Sequence, residues 1–397
     1  MLSHEAIIDA LWETGLKQSL QRRFYDATPE ELKQAHAYAY GGAIIQDMGY
    51  YPHATGYFSD LTHYARAADF IQALIADSQT LDEYAFALGA LSHYASDNEG
   101  HRLGTNVAEP LVYPKLKRKF GNIVTYEDDP YAHLRTEYAF DVEQVAKGNY
   151  APEAYHDFIG FSVAKPLLER AFQETYGLPL KQVVPDLDNA LGSYRHTLST
   201  LIPFFTRVAW ANHENEIRKR RPNVTRKQFL YVMTRSSYER EWGKQYDRPS
   251  LLDRIVAFFV KLLPPIGHIK LLKFRTLTPA ADTLFMKSFE VATREYRRDV
   301  NEATRNRLEL ANRNFDVGVV TRPGQYKLQD DTYVFWLDEL KQSKYASVTP
   351  AIYRDISMYY SDLSAPITTK RKPKEWQRVL LELAELKAGS ANSDPHR

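Results

Sequence analysis

Apolar side chains recur every three or four positions through most of this chain, the period of an α-helix. Ile7, Ile8, Leu11, Trp12 and Leu16 mark the first such stripe, over residues 4–20. Thr28-Pro29-Glu30-Glu31 opens a second helix with an N-cap threonine, a proline at the first helical position and a glutamate placed for a capping box. That helix runs to Ile45 and closes at Asp47-Met48-Gly49-Tyr50-Tyr51-Pro52, a turn that presents a carboxylate at a buried helix end. A third begins at Ser59 and carries His63, and Thr80-Leu81-Asp82-Glu83 caps a fourth. Asp128-Asp129-Pro130 starts another, and helical stretches follow over 152–176, 186–210, 280–312 and 375–387. The stretch 104–121, with Pro110, Pro114 and the basic run Lys115–Lys119, reads as a long irregular loop. The run is a solvated face or a patch for an anionic lipid surface. The pattern predicts an all-α protein in two parts: 1–211, where the chemistry-bearing residues gather, and 212–397, a mainly helical region of unassigned role.

One polar pattern interrupts the apolar stripes. In Gly89–His101, His93, Asp97 and His101 stand at i, i+4 and i+8. Steps of four drift only about 40° each around a helix, so the three side chains share one face. The preceding segment, 82–91, is apolar and Ala-rich, which buries that face. Buried imidazole and carboxylate groups need partners. They form either a hydrogen-bonded polar network or a metal stripe. His133 and Glu137, again at i, i+4, offer a second half-site.

Composition narrows the chemistry. The chain has 397 residues and no cysteine, so a metal would rest on His and carboxylate alone. Lys+Arg 51 against Asp+Glu 50 gives a net charge of +1, so nothing global points to nucleic acid. The 27 tyrosines suit the lining of a wet, polar site. No apolar run reaches the length of a transmembrane helix. Residues 250–274 are apolar and basic, split by Pro264-Pro265, and read as a core helical hairpin or a peripheral membrane contact.

Seven of the twelve histidines fall in the first 133 residues. In order with the carboxylates, the donors are His4, Asp47, His63, His93, Asp97, His101, His133 and Glu137. This series resembles the zinc-dependent phospholipase C family, which shares a multi-helix fold with the S1/P1-type nucleases. The likeness rests on His4 with Glu-Ala-Ile-Ile after it, Gly-Ala-Ile-Ile-Gln-Asp47, His63, the His93/Asp97/His101 stripe and the His133/Glu137 pair, over roughly residues 1–200. It implies that Asp47, His63, His93 and Asp97 hold one zinc and that His101, His133 and Glu137 hold a second. His4 and Asp97 would hold a third, with Asp97 bridging.

The family's third metal also takes the amine and carbonyl of an N-terminal tryptophan. Met1 stands here instead, so two or three zincs are expected. Phosphodiester cleavage by a zinc-activated water is the implied reaction, with Asp47 as the group that orients or deprotonates the water and a phospholipid as substrate. Tyr50, Tyr51, Tyr57 and Phe58 are expected to line the substrate mouth. His36 and His53 lie close enough in sequence to substitute. An S1/P1-like nuclease or phosphatase, and a non-catalytic zinc-binding interaction protein, are the alternatives. The resemblance implies a secreted or periplasmic protein, although no signal peptide stands in this numbering. A cytoplasmic one is expected if Met1 is the true start.

Overall fold

The computed structural model describes residues 2–147, 149, 161–220, 222–229, 275 and 277–392. Among these the protein is all-helical, its single β-type pairing being one bridge between Asn314 and Val319. The first part comprises α1 (Leu2–Leu11), α2 (Lys17–Arg23), α3 (Pro29–Ile44), α4 (Gly56–Tyr64), α5 (Ala67–Asp77) and α6 (Leu81–Gly100). After these come α7 (Asn106–Val112), α8 (Pro114–Phe120), α9 (Pro130–Lys147), α10 (Lys165–Tyr176), α11 (Leu180–Val183) and α12 (Leu187–Arg220). Then follow α13 (Arg226–Phe229), α14 (Pro279–Thr304), α15 (Lys327–Gln342), α16 (Pro350–Tyr359) and α17 (Pro373–Asn392).

Three of these helices start with the same device. Thr28, Thr278 and Thr349 each precede a proline and cap a backbone N–H three residues on. The threonine oxygen satisfies one orphan donor of the first turn, and the proline needs none. At Thr28 the capping box is complete: Glu31 N–H donates to Thr28 Oγ1 at 3.2 Å and Thr28 N–H to Glu31 Oε2 at 2.8 Å.

α3 and α6 form the centre of the main core and pack backbone to backbone. A Cβ on Gly42 would stand 1.9 Å from Phe86 O, and one on Gly89 2.0 Å from Ala39 O. Only glycine permits that approach. α14 lies along the other side of α6, where Tyr296 Oη donates to Leu88 O at 2.9 Å. One apolar cluster runs from Ile7 through Phe86 and Tyr176 to Trp336 and Leu386. A smaller one gathers Leu2, Phe140, Trp210 and Phe285. α1 feeds both clusters.

Two expectations change. The 104–121 stretch is helical rather than irregular: α6 runs through a π-turn, His101–Thr105, into α7, and Pro114 sits at the start of α8. Pro114 takes a first-turn position that lacks no bond, whereas Pro110 lies inside α7. α8 buries none of its residues, so the Lys115–Lys119 run is an exposed face. The helix expected over 280–312 stops at Thr304, and Asn306 takes the left-handed conformation, φ 55°. Asparagine adopts that region more readily than most residues. Close to the expected division between 211 and 212 the helical stretch α12 kinks at the non-helical His213 before running on to Arg220. Residues 250–274, with their reading as hairpin or membrane contact, lie outside the described residues.

Candidate metal centre

Each donor is delivered by a different local device. α6 carries His93 and Asp97, and His101 opens the π-turn at its end. α3 ends at Ile44 and tightens into a 3₁₀ turn, Ile45–Tyr50, which carries Asp47. Ser59 locks that turn to α4: Gly49 N–H donates to Ser59 Oγ at 2.9 Å, and Ser59 Oγ donates to Gln46 O. The carbonyl of the same Ser59 accepts from His63 Nδ1 at 2.7 Å. His4 comes from α1, and His133 and Glu137 from α9. The start of α1 is tied to α9 by Leu2 N–H and Ser3 Oγ, which donate to the Asp141 carboxylate at 3.2 and 3.1 Å.

All eight donors meet. Asp97 is the hub: its Oδ2 lies 3.1 Å from His93 Nε2 and 3.4 Å from His63 Nε2. Its Oδ1 lies 3.5 Å from His4 Nε2 and 4.0 Å from His101 Nε2. Asp47 Oδ1 is 3.6 Å from His63 Nε2. Glu137 Oε1 sits 3.1 Å from His101 Nε2 and 3.2 Å from His133 Nε2. Three donor sets result, each with its ligand atoms within 4.8 Å of one another: His4/His93/Asp97, Asp47/His63/His93 and His101/His133/Glu137. The sets differ from the expected ones in that His93 stands between two of them.

The donor chemistry fits a cation. His63 and His93 each donate Nδ1–H to a backbone carbonyl, so both rings aim their Nε2 atoms inward, 3.2 Å apart. Two imidazole lone pairs at that distance repel unless a proton or a metal lies between them. Nitrogen and carboxylate donors in this number suit zinc.

Titration follows the same electrostatics. Burial lowers His63, but hydrogen bonds to Asp47 and Asp97 overcome it and hold the ring at about 9. Burial likewise opposes His101, which Asp97 and Glu137 raise to about 10. His4, largely covered and stacked 4.5 Å from His93, falls to about 3 through desolvation and then the His93 charge. Asp97 and Glu137 are pulled well below the carboxylate range despite burial, chiefly by His93 and His133 respectively.

The expected mouth residues separate. The Tyr50 ring lies 5.8 Å from His63 and 5.9 Å from Tyr126, at the centre's edge. Tyr51 packs at 4.4 Å on Tyr194, beside the donors. Phe58 does not line a mouth: it is fully buried in the main core against Phe172, 5.7 Å away, because five residues along α4 turn it about 140° from His63. Tyr57 also points away and stacks on Phe335 at 3.7 Å. His36 stacks on Trp12 and pairs with Asp9, outside the centre. An opening lined by Ser3, Ile7, Phe140, Phe285 and Phe289 reaches His4, Asp97, His101 and Glu137.

Sequence reading did not find Glu109, Phe315 and Asp316. Glu109 is fully buried, and desolvation, then Asp129, pushes its carboxyl up to about 9. Phe315 packs against His63, His93 and Tyr94. Asp316 Oδ1 lies 3.6 Å from His101 Nδ1. Helical spacing cannot signal residues that arrive from separate elements.

The fold and the site thus define a helical protein with three adjoining histidine–carboxylate sets, each able to hold a metal ion. Residues 3–183 match the family model described as zinc dependent phospholipase C, and this region is similar to that family. All eight donors lie within the match. No curated protein and no solved structure matches the chain.

Proposed function

We propose that the protein is a zinc-dependent phosphodiesterase of phospholipase C type, with His4, Asp47, His63, His93, Asp97, His101, His133 and Glu137 as its metal ligands. The observation that carries the reading is the gathering of eight donor side chains into three adjoining sets, four of them around Asp97, beneath an opening walled by Phe140, Phe285 and Phe289. These residues would hold two or three zinc ions, which would supply Lewis acidity toward phosphoryl oxygens and lower the pKa of a water toward ~7.

The chain's own groups do the rest. Asp47 keeps its carboxylate ionised through His63. Standing on a turn rather than in a helix, it takes the proton of the attacking water. Asp97 holds the histidines of neighbouring donor sets at fixed separation. Tyr50 and Tyr126 border the donors and offer hydroxyls to a head group. The phenylalanine walls favour a substrate with an apolar part, and the balanced net charge gives no long-range attraction for a polyanion.

Two or three zincs per purified chain, hydrolysis of a phosphatidylcholine analogue and no cleavage of single-stranded DNA are the expected results. Asp97→Asn is expected to lose both metal and activity. Cleavage of nucleic acid with an inert lipid would replace the reading by a nuclease. A chain that takes up no zinc would overturn it.

A further inference from the structure

The histidines of the centre divide by what meets their outer nitrogen. His63 and His93 donate Nδ1–H to Ser59 O and Ala43 O, at 2.7 and 2.9 Å. His101 and His133 do neither: Nδ1 of each is buried without a hydrogen-bond partner. Each nevertheless faces a buried carboxylate oxygen that also has none. His101 Nδ1 lies 3.6 Å from Asp316 Oδ1, and His133 Nδ1 lies 3.8 Å from Glu109 Oε2.

We propose that Asp316 and Glu109 are positioning residues for the His101/His133/Glu137 half of the centre, so that the C-terminal part of the chain, beyond the family match, completes it. The inference rests on the reading of these donors as zinc ligands. The Nε2 atoms of both rings converge on Glu137 Oε1. When Nε2 is committed to a cation, the ring proton must sit on Nδ1. A buried N–H without an acceptor is costly, and the facing carboxylate needs to approach by less than about 1 Å to accept it.

The placement of Asp316 is fixed by its other contacts. Its Oδ2 accepts from Tyr326 Oη at 2.7 Å and Tyr126 N–H at 3.0 Å, and its carbonyl accepts from Asn106 Nδ2 at 2.6 Å. Oδ1 alone is left open, toward His101. The turn that carries it, Asn314–Val319, sits directly on α6, since a Cβ on Gly318 (φ 68°) would fall 2.2 Å from Asn98 O. A carboxylate behind an imidazole fixes its tautomer and orientation and makes Nε2 a stronger donor than a neutral carbonyl does. His63 and His93 are thus held by carbonyls and His101 and His133 are faced by carboxylates, while Nδ1 of His4 is buried with no partner of either kind.

Zinc titration of the full chain after metal removal, in competition with a chromophoric chelator, tests this. In Asp316→Asn and Glu109→Gln one zinc equivalent should weaken about 10–100-fold while the others keep native affinity. Asp316→Ala should exceed Asp316→Asn, which retains an acceptor oxygen. Tyr326→Phe, which frees Oδ2 but leaves Oδ1, should weaken the same equivalent less. Cobalt loading should show altered absorption bands for that equivalent alone. Native affinity at every equivalent, or equal weakening of all of them, overturns the proposal. A native protein that binds no zinc overturns the functional reading itself, which the native titration reports separately.

Discussion

Asp97 gathers four imidazoles around one carboxylate, and protons and metal compete for the same atoms there. In chelator-treated protein, His63 (about 9) and His101 (about 10) bind protons more tightly than their ordinary 6.5. Their contribution to stability is therefore full below pH 6.5 and is lost as pH rises through 9 to 10. Glu109, held near 9 by burial, has the same sign. His4, lowered to about 3, has the opposite one and acts as pH falls from 6.5. Zinc binding requires the His63 and His101 protons to leave, so affinity should climb over the same window. Melting temperatures measured from pH 6.5 to 10 should fall without metal, while zinc affinity rises. Parallel trends would contradict the proton assignment. At this scale i, i+4 spacing marked His93, Asp97, His101, His133 and Glu137 as candidate donors, whereas His4, Asp47 and His63 came only with the family resemblance. Glu109 and Asp316 were marked by neither, since each is an acid on its own element and only tertiary packing turns it toward a ring.

The crossing of α3 and α6 connects packing to chemistry. Gly42 and Gly89 let the two helices touch, and the same crossing puts Ala43 O against His93 Nδ1. Gly89→Ala forces the helices apart and should cost roughly 1–3 kcal/mol by overpacking. It should also loosen His93 and weaken zinc, although residue 89 touches no donor atom. Chemical denaturation and metal titration of one variant check both, and unchanged zinc affinity would separate the crossing from the centre. Helix starts were legible here, because the Thr-Pro pairs at 28, 278 and 349 state their own geometry. The 104–121 stretch was misread because its prolines were weighed as breakers. Their effect depends on position within a turn, and Pro114 occupies the one that tolerates it.

The parts before and after residue 212 share one core. Trp336 Nε1 donates to Tyr176 O at 2.8 Å, Tyr296 reaches α6, and Phe315 seals the histidines. A chain ended at residue 211 keeps all eight donors but loses those contacts. It should be molten, with exposed apolar surface and poor zinc retention, as dye binding and circular dichroism would report. A stable, zinc-loaded fragment would show that the first part stands alone. The helical class was legible from periodicity, but the mutual burial of the two parts was not. Buried faces look alike whichever partner covers them.

The Asn314–Val319 turn also sets an order in time. Glu137, the last of the eight donors, leaves the ribosome 179 residues before Asp316. At ordinary elongation rates that interval lasts roughly 10–40 s. During it the nascent chain displays the donors without the turn that closes over them. Zinc captured early would meet a site still open to solvent and exchange. On the proposed role of Asp316, firm retention would wait for the last quarter of synthesis.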